Sequence, residues 1–136
     1  MDIAASSQQI MTSEKLISES FYVRLLRNYP HMQKYFTNTD MAHQAVVLRF
    51  ALTMLEQFYR FQYPALLDYL HVIGHRHRVM GIPEDAYPDW QDCLLKTLAE
   101  FHGEHWNDTL HQQWTEASGL AIQAILEGYS LESGSI

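Results

Sequence analysis

His77 is the residue whose type and position most clearly suggest chemistry. Leu66, Leu70 and Ile73 precede it at intervals of three or four residues, so that at about 100° per residue all four side chains share one helical face. The run stops at Gly81. A buried imidazole on the inward face of a helix needs a partner for each of its ring nitrogens. A metal is one such partner, and a hydrogen-bonded core histidine is the common alternative.

A second histidine lies on a similar stripe of another predicted helix. His43 is followed by Val47, Phe50 and Met54 at offsets of four, seven and eleven residues. If the two helices face one another, His43 and His77 point into the same cleft. Its predicted walls are apolar, which suits a large flat hydrophobic cofactor better than a hydrated metal ion; they are formed by Val47, Phe50, Leu70 and Ile73.

The elements that must position these residues are predicted to be helices throughout. Four prolines mark the breaks, and no Asn-Gly or Asp-Gly hairpin signal occurs. The first four predicted elements are a helix over Ser6–Leu16, a helix over Ser18–Arg27, a turn over Pro30–Phe36, and a helix over Met41–Tyr59 capped by Asp40. Pro64 opens the next predicted helix, which carries His77, and Pro88 opens another that ends at Gly103. The last predicted elements are a helix capped by Asn107 or Asp108 and a frayed tail over 130–136.

Composition limits the classes of function. The chain has 136 residues, which fits one domain, and its net charge of −7 argues against nucleic acid and anionic membranes as partners. Cys93 is the single cysteine, so no disulfide can form within the chain. No apolar run reaches the length of about 18 residues that spans a membrane, and no signal peptide is evident. These features predict a cytoplasmic protein.

Four stretches, in order along the chain, resemble the globin family, and in particular single-domain bacterial globins and the globin module of flavohaemoglobins. They are Phe21-Tyr22 with Tyr35-Phe36, Gly74 to Ile82, Tyr87-Pro88, and Cys93 to Leu98 with Trp114. The resemblance covers about Phe21 to Tyr129. It implies an all-α, three-over-three helical sandwich that holds haem b (iron protoporphyrin IX), within a single domain over 1–136 whose core is about 18–129.

The resemblance also implies roles for particular residues. His77 takes the position of the proximal iron ligand, and its second ring N–H is expected to donate to a backbone carbonyl of its own helix. Phe36 takes the position of the phenylalanine that packs on the haem face, and Tyr22 that of the distal tyrosine that donates to O2. Tyr87 matches the proximal tyrosine of flavohaemoglobins. Further haem contacts are expected from Val47, Phe50, Leu70, Ile73 and Ile82.

The distal helix aligns with the family only through a gap. The register that keeps Phe50 inward places His43 over the iron, with Val47 beside it. A shift of one residue places Gln44 there but turns Glu56 inward. We therefore expect His43 at the distal position, either as a hydrogen-bond donor to O2 or as a sixth iron ligand.

Two departures from flavohaemoglobins bear on function. Those proteins carry a glutamate on the last helix. An alignment without gaps places Tyr129 of this sequence at that position, and the nearest acidic residue, Glu127, is two residues away. No G-x-G-x-x-G fingerprint of a nucleotide-binding reductase occurs.

The resemblance leaves three functions open. The expected one is a bacterial haemoglobin, monomeric or homodimeric, that binds O2, CO or NO reversibly for oxygen transport or storage. The second is an NO dioxygenase that depends on a separate reductase, so whether the protein is an enzyme stays open. The third is a gas-ligand sensor that acts through a partner.

Overall fold

The computed structural model describes residues 1–131. Of the tail predicted over 130–136, Ser130 ends a 3-10 helix, and 132–136 lie outside the described residues. Within residues 1–131 the chain is helical and contains no strand, which confirms the all-α prediction. The α-helices are α1 (Ile3–Thr12), α2 (Ile17–Asn28), α3 (Met41–Phe61), α4 (Pro64–Val79), α5 (Ala86–His102) and α6 (Asp108–Glu127), and short 3-10 helices cover Pro30–Phe36, Gly103–His105 and Gly128–Ser130.

Local sequence signals explain where most of these helices begin. The Asp40 carboxylate accepts hydrogen bonds from two backbone N–H groups in the first turn of α3, and the Asn107 side chain accepts one from α6. Pro64 lies in the first turn of α4, as predicted. Helix α1 begins at Ile3 rather than Ser6, because the Asp2 carboxylate caps it by accepting from the Ala5 N–H at 3.0 Å, and it ends at Thr12 rather than Leu16.

The helices bury a continuous apolar core. Helix α2 packs on α3 and α5, while α6 packs on α3, α4 and α5, and α1 lies against α3. The largest fully buried side chain is Trp114 of α6, which is 0% exposed. Phe21 of α2 and Leu94 and Leu98 of α5 are buried in the same cluster.

A close crossing joins α4 to the end of α6. A Cβ atom on Gly74 would lie 1.8 Å from the Ile125 carbonyl oxygen, and one on Gly128 would lie 2.2 Å from the His71 carbonyl oxygen. Side chains at both positions are therefore excluded by backbone. The crossing holds His77, three residues after Gly74, close to Tyr129, which follows Gly128.

Among the described residues, no helix combines the length and apolarity needed to cross a membrane.

Candidate functional site

An apolar cavity of about 340 Å³ lies where α2, α3, α4, α5 and α6 meet. A volume of this size is typical of small-molecule sites. The predicted contact residues that line it are Phe36, Val47, Leu70, Ile73, His77, Ile82 and Tyr87. Tyr22 and Gln44 line it as well. The cavity therefore combines an apolar lining with a few polar groups contributed by different helices.

His77 presents a neutral imidazole to this cavity. Its side chain is half-buried near the end of α4, and burial lowers its pKa from 6.5 to about 4. Its Nδ1 atom lies 2.9 Å from the Tyr87 hydroxyl oxygen. The expected bond to a backbone carbonyl of α4 is thus replaced by a bond to α5, because Tyr87 projects from the first turn of that helix. His75 is also half-buried, but it does not line the cavity.

The hydrogen bonds continue beyond Tyr87. The Tyr87 and Tyr129 hydroxyl oxygens are 2.8 Å apart, and the Tyr129 hydroxyl donates to the Ile82 carbonyl at 2.8 Å. Burial is the main cause that raises the pKa of both phenols, so both stay protonated at neutral pH. Glu127 takes no part in this series of hydrogen bonds, and its carboxylate lies 4.0 Å from His71.

Tyr22 supplies a second polar group, from α2. Its ring is buried and packs edge-to-face against Phe36, with ring centroids 5.5 Å apart. Burial raises the pKa of its phenol, which therefore stays protonated. The Gln44 Nε2 amide donates to the Tyr22 hydroxyl oxygen at 2.9 Å. Because Gln44 is the donor, the Tyr22 hydroxyl keeps its own proton available for another acceptor.

The structure contradicts the predicted register of α3. His43 is exposed and does not line the cavity, and Phe50, which is 50% exposed, does not line it either. The inward stripe is instead Gln44, Leu48, Leu52 and Leu55. At about 100° per residue, the predicted stripe is rotated away from the cavity by about one position.

Neighbouring helices account for this rotation. The Ser18 hydroxyl of α2 donates to the Ala45 carbonyl, and α1 also packs on α3, so a second side of α3 is buried. Glu56 is 2% exposed on that side, where it pairs with Arg60 one turn later. Glu56 is therefore buried, contrary to the prediction that it faces outward. The offsets of four, eight and eleven from Gln44 to the three leucines were the signal that could have found the correct register.

Two arginines near His77 have different environments. Arg76 is exposed and lines the cavity, so it lies at the rim. Arg78 donates from Nη1 to the Tyr129 carbonyl oxygen at 2.7 Å, which ties α4 to the 3-10 helix after α6.

Sequence reasoning missed several apolar residues of the cavity. They lie on α2, α3, α5, α6 and the first 3-10 helix, and include Leu25, Met32, Leu48, Leu52, Trp90, Ile122 and Ile125. Their hydrophobicity predicted burial but not which of them would face the cavity.

Comparisons with known proteins agree on one family. The Globin family model matches residues 19–125. The flavohemoprotein of Chromobacterium violaceum is 27% identical over 111 residues, which cover 81% of this chain and 28% of that protein. The flavohemoprotein of Bacillus thuringiensis subsp. konkukian is 30% identical over 112 residues, covering 81% and 27%. The chain thus spans a little more than a quarter of the length of these relatives.

A solved structure has the same fold. Protein PA3967 from Pseudomonas aeruginosa PAO1, described as structurally highly homologous to a human hemoglobin, superposes with a TM-score of 0.76 at 25% identity. The match covers 93% of this chain and 99% of that protein, which confirms the predicted globin-like helical sandwich. The chain therefore belongs to the globin family of haem-binding proteins.

Proposed function

We propose that this protein holds haem b and binds O2 reversibly, and that it also binds CO and NO. The observation that carries the proposal is an apolar cavity lined both by a neutral histidine and by a buried tyrosine hydroxyl that has a proton to donate. When bound, the haem supplies a ferrous iron that takes small diatomic ligands.

The donor set fits this cofactor. His77 uses Nδ1 toward Tyr87, which leaves Nε2 as the nitrogen for iron. Phe36, Val47, Leu70, Ile73, Ile82 and Tyr87 would contact the macrocycle, and Arg76 at the rim would pair with a propionate. The apolar lining would keep water from the iron, and Tyr22 would donate to the ligand.

Substitution of the two neighbouring histidines tests the proposal. We expect His77→Ala to abolish stoichiometric haem binding, because it removes the protein's iron ligand, whereas His75→Ala should keep it. The measurement is the absorption spectrum of the ferric, ferrous and CO forms after titration with haem. Full haem retention by His77→Ala would show that the iron is held elsewhere.

A second candidate function follows from the similarity to flavohemoproteins. In an NO dioxygenase, NO, O2 and one electron yield nitrate, and a separate reductase would supply the electron. Nitrate formed per protein in the presence of a reductase and NO separates the two functions. Turnover beyond one equivalent would favour the enzyme, and a single equivalent would leave O2 binding as the function.

A further inference from the structure

A hydrogen-bond chain extends from His77 to the loop that follows α4. Its links are His77 Nδ1 to the Tyr87 hydroxyl at 2.9 Å, Tyr87 to Tyr129 at 2.8 Å, and Tyr129 to the Ile82 carbonyl at 2.8 Å. The chain ends on a backbone carbonyl, and no carboxylate takes part in these three links.

Only one direction of donation is consistent with this chain. A carbonyl oxygen accepts and cannot donate, so Tyr129 must donate its single proton to Ile82. Tyr129 can then only accept from Tyr87, and Tyr87, having donated its own proton, can only accept from His77. The Nδ1 atom of His77 therefore carries the proton, and Nε2 carries the lone pair.

Further contacts hold Tyr129 and Ile82, the last two residues of this hydrogen-bond chain, in place. Arg78 donates to the Tyr129 carbonyl at 2.7 Å, and Gly128 lies directly against the His71 backbone. At the other end, the Ile82 N–H donates to the His77 carbonyl at 3.0 Å. The terminal acceptor is thus attached to the same residue whose imidazole begins the chain.

We propose that Tyr129 is a positioning residue that acts through Tyr87 to hold the proton on Nδ1 of His77, so that Nε2 is a moderate electron donor to iron. The inference rests on the proposed function, in which His77 is the iron ligand. A neutral phenol and an amide carbonyl leave the proton on Nδ1. A carboxylate in place of Tyr129 would accept more strongly from the Tyr87 hydroxyl, whose oxygen would then accept more strongly from the Nδ1–H and make Nε2 a stronger donor to iron.

Two substitutions of Tyr129 and one control test this proposal in the haem-loaded protein. Tyr129→Glu should lower the ferric/ferrous midpoint potential and raise the iron–histidine stretching frequency. Tyr129→Phe should shift both quantities in the opposite direction, because Tyr87 loses the acceptor that polarises it. Tyr59→Phe removes a hydroxyl that bonds to Glu116 instead, and should change neither. Identical potentials and frequencies in wild type and both Tyr129 variants would overturn the proposal.

A second measurement does not depend on haem. In the full chain without added haem, ¹⁵N NMR of the His77 ring should report the Nδ1–H tautomer in wild type. It should report a mixture of tautomers in Tyr129→Phe. A wild-type ring protonated at Nε2 would overturn the inference, even if Tyr129 variants fail to fold. If the wild type failed to bind haem, the proposed function would be overturned. The His77 tautomer could still be measured, because the NMR experiment uses the protein without haem.

Discussion

The chemistry of a ligand in this cavity depends on where the hydroxyl hydrogen of one residue, Tyr22, points. Gln44 donates to the Tyr22 oxygen, which leaves the hydroxyl hydrogen for an acceptor in the cavity. The phenol is buried, so water competes weakly for that hydrogen, and the bond to a ligand is stronger than it would be at the surface.

We therefore predict that Tyr22→Phe speeds O2 release by about tenfold, the equivalent of one hydrogen bond worth about 1.4 kcal/mol. Phenylalanine keeps the edge-to-face packing on Phe36 and removes only the donor. Stopped-flow measurement of O2 dissociation tests this, and an unchanged rate would mean that the donor is another residue.

Gln44 and His43 provide a matched pair for the same measurement. Gln44→Leu should accelerate O2 release less than Tyr22→Phe does, because the Tyr22 hydroxyl remains but loses the amide that orients it. His43→Leu should leave the rate unchanged, since His43 is exposed and outside the cavity. The reverse pattern would restore the register in which His43 faces the ligand.

At the element scale, the crossing of α4 and α6 sets the position of the proximal groups. Gly74 and Gly128 allow backbone to touch backbone, so His77 and Tyr129 come within reach of the same tyrosine, Tyr87. Larger residues at the crossing would separate the helices and break the hydrogen-bond chain.

We predict that Gly74→Ala destabilises the protein by about 1–3 kcal/mol or more, because its methyl group would lie 1.8 Å from the Ile125 carbonyl oxygen. Gly119→Ala is the control: the nearest atom to its methyl is the Gln91 side-chain nitrogen at 3.9 Å. Alanine also favours the helix over glycine, so Gly119→Ala should be neutral or stabilising. Urea unfolding measures both, and equal stabilities would contradict the close crossing.

At the scale of the whole molecule, a buried polar cluster joins the first helix to the last two. The Ser6 Oγ atom of α1 lies 2.6 Å from His102 Nε2 of α5, and it accepts from the Trp114 indole N–H of α6 at 3.0 Å. Burial is the largest cause of the lowered pKa of His102, followed by the charges of His105 and the N-terminal amine.

This cluster predicts a pH dependence of stability. The unfolded chain protonates His102 below about pH 6.5, whereas the folded chain keeps it neutral to lower pH, so unfolding becomes more favourable as the pH falls. The contribution of His102 is fully retained above about pH 6.5 and is lost below it. We expect His102→Gln to reduce the fall in unfolding free energy as the pH drops below about 6.5. The same slope in both proteins would exclude His102 as a cause.

Local sequence signals predicted most of the helices and the histidine of α4 that lines the cavity. Proline, glycine and capping residues act locally, and the stripe from Leu66 to His77 has one clear helical face, so α4 and its histidine were predictable. The motifs around Tyr22, Phe36 and Tyr87 predicted the fold in a different way, through their resemblance to the globin family.

The rotation of α3 and the hydrogen-bond partner of His77 depend instead on how the helices pack together. Helix α3 carries apolar residues on several sides, and Glu56 is buried and pairs with Arg60, so periodicity could not choose between His43 and Gln44. The hydrogen-bond chain from His77 to Tyr129 joins residues that are 52 positions apart in the sequence. They come together because α4 crosses the end of α6 closely, at Gly74 and Gly128. Contacts of that kind follow from how helices pack, which no local pattern encodes.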